Sequence, residues 1–180
     1  MTIEELKQKI RDIPDFPKKG IVFRDITTLI KDAQAFRAVI DHLYDRYKNS
    51  GLDAIVGIEA RGFILGGALA DRLGVGFIIA RKPGKLPADV VSETYSLEYG
   101  QARLEIHKDA ISDGMKVLVI DDLLATGGTM EATCKLVERL GGEVAGIWVL
   151  IELTFLKGIT KLSKYPFYSL LNMTPNKKSR

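Results

Sequence analysis

Cysteine is nearly absent from this chain, whose 180 residues include one, Cys134. A single cysteine excludes a disulfide bond within the chain, and we interpret Cys134 as a packing residue because it lies in a helical pattern. Long apolar runs are also missing, since no stretch reaches the roughly 18 residues that a transmembrane helix needs. The first residues include Glu4 and Glu5 but no apolar segment. We therefore expect neither a secretory signal nor a membrane partner, and a cytoplasmic location.

An excess of one charge sign is missing too, since 26 lysines and arginines face 23 aspartates and glutamates, for a formal net charge of +3. The cations form no basic stripe, so we expect no nucleic-acid partner. The string G-x-x-x-x-G-K-S/T does not occur, and the glycines at 74 and 76 close a helical pattern. Neither a P-loop enzyme nor a dinucleotide-binding fold is therefore indicated. With 46% hydrophobic residues, the chain is predicted to bury one core, as a single domain over 1–180.

The most informative stretch is 116–129, K-V-L-V-I-D-D-L-L-A-T-G-G-T. Its apolar, β-branched run at 117–120 predicts a strand buried on both faces, as in a parallel sheet with helices on each side. Asp121 and Asp122 follow at once, so we expect them where the strand leaves the sheet. Ligands of open α/β sheets bind at this end of the strands.

The loop after the acidic pair has the chemistry of a phosphate site. Gly127 and Gly128 let ligand oxygens approach the backbone, and the first turn of the next helix offers free N–H groups and a positive dipole end. Thr126 and Thr129 add hydroxyl donors. Because a phosphate would be repelled by the acidic pair, the two halves must bind different parts of one ligand, and a sugar phosphate fits both. The alternative is an ordinary strand–helix junction with acidic caps.

Buried strands are also predicted at 54–58 and 144–151, and further strands at 76–80 and 167–171, with helical patterns among them. This alternation predicts an α/β fold with a doubly wound, mostly parallel central sheet flanked by helices. After the first of these strands, Arg61 stands near a helix start, where the helix dipole disfavours a cation. An anionic ligand would compensate, since arginine suits phosphates. A surface ion pair is the alternative.

Residues 81–87, R-K-P-G-K-L-P, combine three cations with two prolines and a glycine. Such a segment forms no regular element, and we interpret it as a basic loop that covers phosphates, with a solvated linker as the alternative. The alternating segments 94–99 and 102–107 predict a hairpin whose type II′ turn is Gly100-Gln101. Loop and hairpin together would form a lid over about 81–107.

The string at 117–130, V-L-V-I-D-D-L-L-A-T-G-G-T-M, resembles the 5-phosphoribosyl-1-pyrophosphate (PRPP) signature of the type I phosphoribosyltransferases. Its segment L-L-A-T-G-G-T resembles the version found in adenine phosphoribosyltransferases. Three further segments resemble the same family: D-F-P-K-K-G-I-V-F-R-D-I-T at 15–27, the basic loop at 81–87 and Y-S-L-E-Y-G at 95–100. The resemblance covers nearly the whole chain.

This resemblance implies a purine-salvage transferase that converts adenine and PRPP into AMP and pyrophosphate through an oxocarbenium-like transition state. It implies Mg²⁺ as the cofactor, bound mainly through PRPP and pyrophosphate with no dedicated protein ligands, and it implies a homodimer. It also implies an N-terminal hood over about 13–31 that binds the base. From the residues alone, 13–31 is predicted to be irregular, with a short extended piece at 21–23.

The resemblance further implies which residues bind each part of the substrates. The phosphate and ribose of PRPP or AMP would contact Asp121, Asp122, Ala125, Thr126, Gly127, Gly128 and Thr129. Pyrophosphate would contact Glu59, Ala60, Arg61, Lys82 and Lys85. Adenine would contact Val22, Phe23, Arg24 and Leu153. Glu98 would be the general acid or base that handles the proton at N7 of the purine, an effect of roughly 10²–10⁴-fold.

Two alternatives stay open at this point. One is the same reaction with another purine, such as hypoxanthine. It is disfavoured because a backbone C=O and N–H pair at 22–24 matches the edge of adenine and mismatches a 6-oxopurine. The other is a PRPP-sensing regulator without catalysis, which usually needs an added DNA-binding segment. The predicted helix at 2–11 is too short to be one.

Overall fold

The computed structural model describes residues 1–97 and 99–175. Contacts divide the chain into two compact units, Met1–Arg46 and Tyr47–Arg180. Within the described ranges, no helix is both long enough and apolar enough to cross a membrane. The predicted hood (13–31) falls in the first unit and the predicted lid (81–107) in the second, while the single-domain organisation itself stays a prediction.

The first unit combines helices with a short antiparallel pair of strands. Its elements are α1 (Ile3–Gln8), β1 (Arg11–Pro14), β2 (Val22–Asp25), α2 (Thr27–Ile30) and α3 (Ala33–Tyr47), which ends where the second unit begins. A capping box starts α1, since Thr2 Oγ1 accepts a bond from the Glu5 N–H at 3.1 Å and the Glu5 carboxylate accepts one from the Thr2 N–H at 2.7 Å. The extended piece expected at 21–23 is present as β2, which pairs with β1 and continues to Asp25. The prediction that the rest of 13–31 is irregular was wrong in part, because Thr27–Ile30 forms α2.

The second unit is built on five parallel strands, which confirms the predicted α/β fold. Its elements are β3 (Ala54–Ile58), α4 (Arg61–Leu73), β4 (Gly76–Ala80), β5 (Val90–Ser96), β6 (Gln101–His107), β7 (Lys116–Leu124), α5 (Gly128–Arg139), β8 (Glu143–Leu153) and β9 (Phe167–Met173). Two short 3₁₀ turns, Thr154–Leu156 and Gly158–Leu162, connect β8 to β9. The sheet order is β4-β3-β7-β8-β9, and each neighbouring pair is parallel.

The central strand β7 is buried on both faces, as its apolar run predicts. Residues 117–120 are fully buried. Successive side chains of a strand point to opposite faces, and the two faces have different helical neighbours. Val119 shares a core with Leu136 and Val137 of α5, whereas Ile120 lies against Gly66 of α4 so closely that a Cβ there would be 2.8 Å from it. Helices therefore flank the sheet on both sides, each buried aliphatic side chain contributing about 1.5–3 kcal/mol.

The strand order creates an opening beside β7. From β3 the chain continues to β4 on one side, and from β7 it continues to β8 and β9 on the other, so the direction reverses between β3 and β7. β3 pairs with β7 up to Gly57↔Ile120, while beyond that point Asp121, Leu123 and Leu124 of β7 pair with β8 alone. Asp121 and Asp122, predicted to follow the strand, lie inside β7 but beyond its pairing with β3.

The predicted hairpin is present, with β5 and β6 paired from Val90↔His107 to Ser96↔Gln101. The predicted turn at Gly100-Gln101 was wrong, because Gln101 is already paired with Ser96 as the first residue of β6. The Leu97 N–H donates to the Gly100 carbonyl at 3.0 Å, and Gly100, directly before β6, has φ +85°. The sequence could not distinguish the two positions, because a glycine with a positive φ is compatible with a two-residue turn and with a longer one.

Candidate active site

A pocket lies in the second unit where β7 extends beyond β3. It brings together most of the residues that the sequence predicted for PRPP. Those that line it are Glu59, Arg61, Lys82, Asp121, Asp122, Ala125, Thr126, Gly127, Gly128 and Thr129. Tyr95 and Leu104 of the hairpin also line it, and neither was a predicted site residue.

Loop 125–129 connects β7 to α5 in the form that an anion site needs. Gly127 has φ +89° and immediately precedes the helix, a conformation that favours glycine. The first N–H groups of a helix have no partner within the helix, and the positive end of its dipole lies at the same place. The loop is therefore suited to bind a phosphate.

Tyr95 of β5 covers this loop. The Thr129 hydroxyl donates a hydrogen bond to the Tyr95 hydroxyl at 3.1 Å. The Tyr95 ring lies against Gly128, where a Cβ would come within 3.1 Å of ring atom Cδ2. Arg139 of α5 adds an ion pair with Glu93 of β5 at 3.1 Å. The hairpin is thus attached to the loop and to the helix that follows it. The sequence did not predict this contact, because an aromatic residue such as Tyr95 is common in any alternating strand.

Asp122 of the acidic pair is bonded to Arg61, the first residue of α4. Arg61 Nε lies 2.5 Å from Asp122 Oδ2, and the Asp122 side chain is 7% exposed, whereas that of Arg61 is 43% exposed. The Asp122 N–H donates to Asp121 Oδ1 at 2.8 Å. Burial, followed by the charge of Asp122, raises the pKa of Asp121 well above its usual range. A positive charge brought next to Asp121 would favour its ionised form.

Glu59 stands at the end of β3 and is surrounded by the basic loop. Its carboxylate accepts bonds from the Lys82 N–H, from Lys85 Nζ at 2.9 Å and from Arg81 Nη2 at 3.2 Å. Burial acts to raise the pKa of Glu59, but these bonds outweigh it and hold the pKa below its usual value. Lys85 and Ala60, both predicted for pyrophosphate, do not line the pocket. Lys85 contacts the lining residue Glu59, and Ala60 is the residue before α4.

A second buried carboxylate, Glu105 of β6, holds the other part of the loop. Glu105 accepts a bond from the Gly84 N–H at 2.9 Å and one from the Ser92 hydroxyl at 3.0 Å. The backbones of Arg81 and Glu105 also form an isolated antiparallel bridge. Sequence reasoning missed Glu105, because a glutamate in an alternating strand is usually solvated.

The residues predicted for adenine are divided between the two units. Val22, Phe23 and Arg24 belong to β2, where Phe23 packs edge-on against Phe16 at 5.2 Å between ring centroids. Arg24 Nη1 pairs with a carboxylate of β1 at 2.8 Å. Leu153 ends β8 in the second unit. Their shared role with the base stays a prediction.

Glu98, the predicted general acid or base, lies outside the described residues. The neighbours on either side, Leu97 and Tyr99, are 51% and 82% exposed. Its role therefore also stays a prediction.

No group of three metal-binding side chains occurs among residues 1–97 and 99–175. Asp121 and Asp122 nevertheless line the pocket. Mg²⁺ is typically bound by one or two carboxylates together with substrate phosphates. The donor set thus fits a magnesium ion that a phosphorylated substrate brings with it.

The model of the phosphoribosyl transferase domain matches residues 27–178, so the chain belongs to the phosphoribosyltransferase family. Similar chains include the adenine phosphoribosyltransferase of Chloroflexus aurantiacus, which is 58% identical over 171 residues, covering 95% of this chain and 99% of the relative. That of Chlorobium chlorochromatii is 59% identical over 169 residues, covering 92% and 96%. Within its family, the chain is thus one of the adenine phosphoribosyltransferases.

Solved structures agree. The adenine phosphoribosyltransferase of Thermoanaerobacter pseudethanolicus has a TM-score of 0.93 at 56% identity, covering 96% of this chain and 100% of that one. The Saccharomyces cerevisiae enzyme, complexed with adenine and D-2,5-dideoxy-2,5-imino-altritol 1,6-bisphosphate, has a TM-score of 0.88 at 41% identity, covering 94% and 98%. The similarity extends over nearly the full length of both chains.

Proposed function

We infer that this protein converts adenine and PRPP into AMP and pyrophosphate, the reaction of purine salvage. The observation that carries this assignment is the pocket beside β7, which combines an anion-binding loop, an acidic pair and exposed cations. A sugar that carries phosphates at both ends matches these three features in one molecule.

Loop 125–129 would bind the 5′-phosphate of PRPP through its backbone N–H groups, including that of Thr129, and through the Thr126 hydroxyl. The single hydrogen of the Thr129 hydroxyl is donated to Tyr95 and keeps the loop attached to the hairpin. This contact is remote from the reacting carbon. Its binding energy can therefore orient the sugar at C1′ without touching the bond that breaks.

Asp121 and Asp122 would accept hydrogen bonds from the ribose hydroxyls. As pyrophosphate departs, positive charge develops at C1′ and on the ring oxygen, and nearby carboxylates stabilise that charge. The cation would also lower the pKa of Asp121, which burial and Asp122 raise in this structure. The acidic pair thus favours the transition state over the ground state.

Arg61 and Lys82 would bind the leaving pyrophosphate, with Lys85 held nearby by Glu59. Their charges offset the negative charge that accumulates on the departing oxygen. The magnesium ion, held by substrate phosphates and the acidic pair, would supply Lewis-acid stabilisation of the same charge. Hairpin and basic loop would exclude water from C1′.

For the base, we propose that backbone groups of Val22 and Arg24 read the adenine edge, with Phe23 and Leu153 against the ring. Glu98 would manage the proton at N7 while N9 attacks C1′. We also propose a homodimer, which the family resemblance of the sequence supports, and a cytoplasmic location.

The direct test is to incubate the purified protein with Mg²⁺, PRPP and one purine base at a time, and to measure nucleotide and pyrophosphate. We expect AMP from adenine, with hypoxanthine and guanine used poorly or not at all. Preferential formation of IMP would favour the 6-oxopurine alternative. PRPP binding without any nucleotide product would favour the regulator.

A further inference from the structure

Gly158 lies behind the phosphate loop and is not among the residues that line the pocket. It begins the 3₁₀ turn Gly158–Leu162. A Cβ on Gly158 would lie 2.4 Å from the Ala125 carbonyl oxygen and 3.1 Å from the Gly127 nitrogen. Reciprocally, a Cβ on Gly127 would lie 2.6 Å from the Gly158 oxygen. The two backbones are therefore in direct contact, with no room for a side chain between them.

We propose that Gly158 is a positioning residue that holds the backbone of loop 125–129 in place for the 5′-phosphate of PRPP and AMP. This proposal rests on the proposed function. Backbone N–H groups stabilise an anion well only when they are preorganised, and a displacement of about 1 Å can cost a large part of the effect. Two elements support the loop: the 3₁₀ turn contacts it through the Gly158 backbone, and β5 contacts Gly128 and Thr129 through Tyr95.

The requirement for glycine at 158 is steric. The φ of Gly158 lies outside the left-handed region, so alanine could adopt the backbone conformation at this position. What opposes alanine is the clash of its Cβ with the backbone of loop 125–129. The atoms in the way belong to backbone, which cannot rotate aside as a side chain can. Gly158→Ala must therefore displace the loop, the 3₁₀ turn or both.

The test separates the phosphate from the rest of the ligand. Calorimetry on the full-length protein gives the Kd of adenosine and the Kd of AMP. The Kd of adenosine divided by that of AMP measures how much affinity the phosphate adds. In Gly158→Ala we expect this ratio to fall about tenfold or more. A general loosening of the pocket would weaken both ligands and leave the ratio unchanged, which would overturn the proposal.

Two glycines serve as matched controls. Gly146 of β8 is buried, and a Cβ there would meet its nearest atoms at 3.6 and 3.7 Å; at Gly67 of α4 it would meet none within 4 Å. Gly146→Ala and Gly67→Ala should keep the wild-type ratio. A ratio near one in the wild type would contradict the proposed phosphate site itself, whereas a large ratio retained in Gly158→Ala would contradict only the role of Gly158.

The wild-type protein gives an independent reading if Gly158→Ala does not fold. Ribose 5-phosphate should slow amide hydrogen exchange in peptides that cover 125–129 and 157–162 together. Slowing confined to 125–129 would overturn the proposal, because a loop supported by the 3₁₀ turn should transmit its ordering to that turn.

Discussion

Replacing Tyr95 by phenylalanine removes one oxygen atom from the cover of the phosphate loop. The Tyr95 hydroxyl accepts a bond from Thr129 at 3.1 Å, and the ring contact with Gly128 is kept in the variant. A hydrogen bond between neutral groups contributes about 0.5–1.5 kcal/mol, which corresponds to a factor of roughly 2 to 13 in an equilibrium constant. Because the bond holds Thr129 of the loop that binds the phosphate, we expect the KM for PRPP to rise by that factor with kcat little changed.

The assay is steady-state AMP formation with PRPP varied at saturating adenine, in a double-mutant cycle with Thr129→Val. When the Thr129 hydroxyl is already absent, adding Tyr95→Phe should change the KM by less than about twofold. Tyr165→Phe is the matched control, because its hydroxyl bonds to Glu138 outside the pocket lining. An unchanged KM in Tyr95→Phe, or additive effects in the cycle, would refute the reasoning.

Three further perturbations test other parts of the molecule. Arg61→Gln should lower kcat/KM for PRPP by roughly 10²–10³-fold; a steady-state loss below tenfold would remove Arg61 from the leaving-group site. Glu98→Gln should lower kcat by about 10²–10⁴-fold while the Kd of PRPP stays nearly constant, and equal losses in both would exclude the acid–base role. Hydrogen bonds from Thr27 and Arg11 lower the pKa of Asp25 to about 2, so this carboxylate stabilises the fold above its unfolded pKa and loses that effect as the pH falls from about 4 to 2. Asp25→Asn should therefore be less stable at pH 7 in urea titrations, with a gap that closes over this range; a constant gap would contradict the assignment.

The sequence predicted the second unit well because its strands carry the signal in their own residues. The run at 117–120 is apolar and β-branched, and it is buried as expected. The strands at 54–58 and 76–80 begin and end where predicted. The local sequence pattern could not predict which strands pair or where their pairing stops. An example is the end of the β3 pairing at Ile120, which leaves 121–124 of β7 unpaired on that side.

The elements that the sequence missed depend on contacts between distant segments. β1 is a strand because β2 pairs with it, and its sequence R-D-I-P has little strand character of its own. Gly158 matters through the backbone of a loop far away in the chain, and a glycine between a lysine and an isoleucine looks like any turn. Tyr95 was predicted as a strand residue of the lid, and its bond to Thr129 follows from how the hairpin packs on α5.

Glu59 raises an apparent contradiction, since a carboxylate seems ill suited to a pyrophosphate site. The geometry resolves it, because the carboxylate accepts bonds from Arg81, Lys85 and the backbone of Lys82. Two cationic side chains, those of Arg81 and Lys85, pair with this one anion, so the cluster keeps a net positive charge. Flexible cations would lose side-chain entropy on binding a phosphate, whereas cations already fixed by Glu59 lose less. The acid therefore contributes to pyrophosphate binding by ordering the groups that attract it.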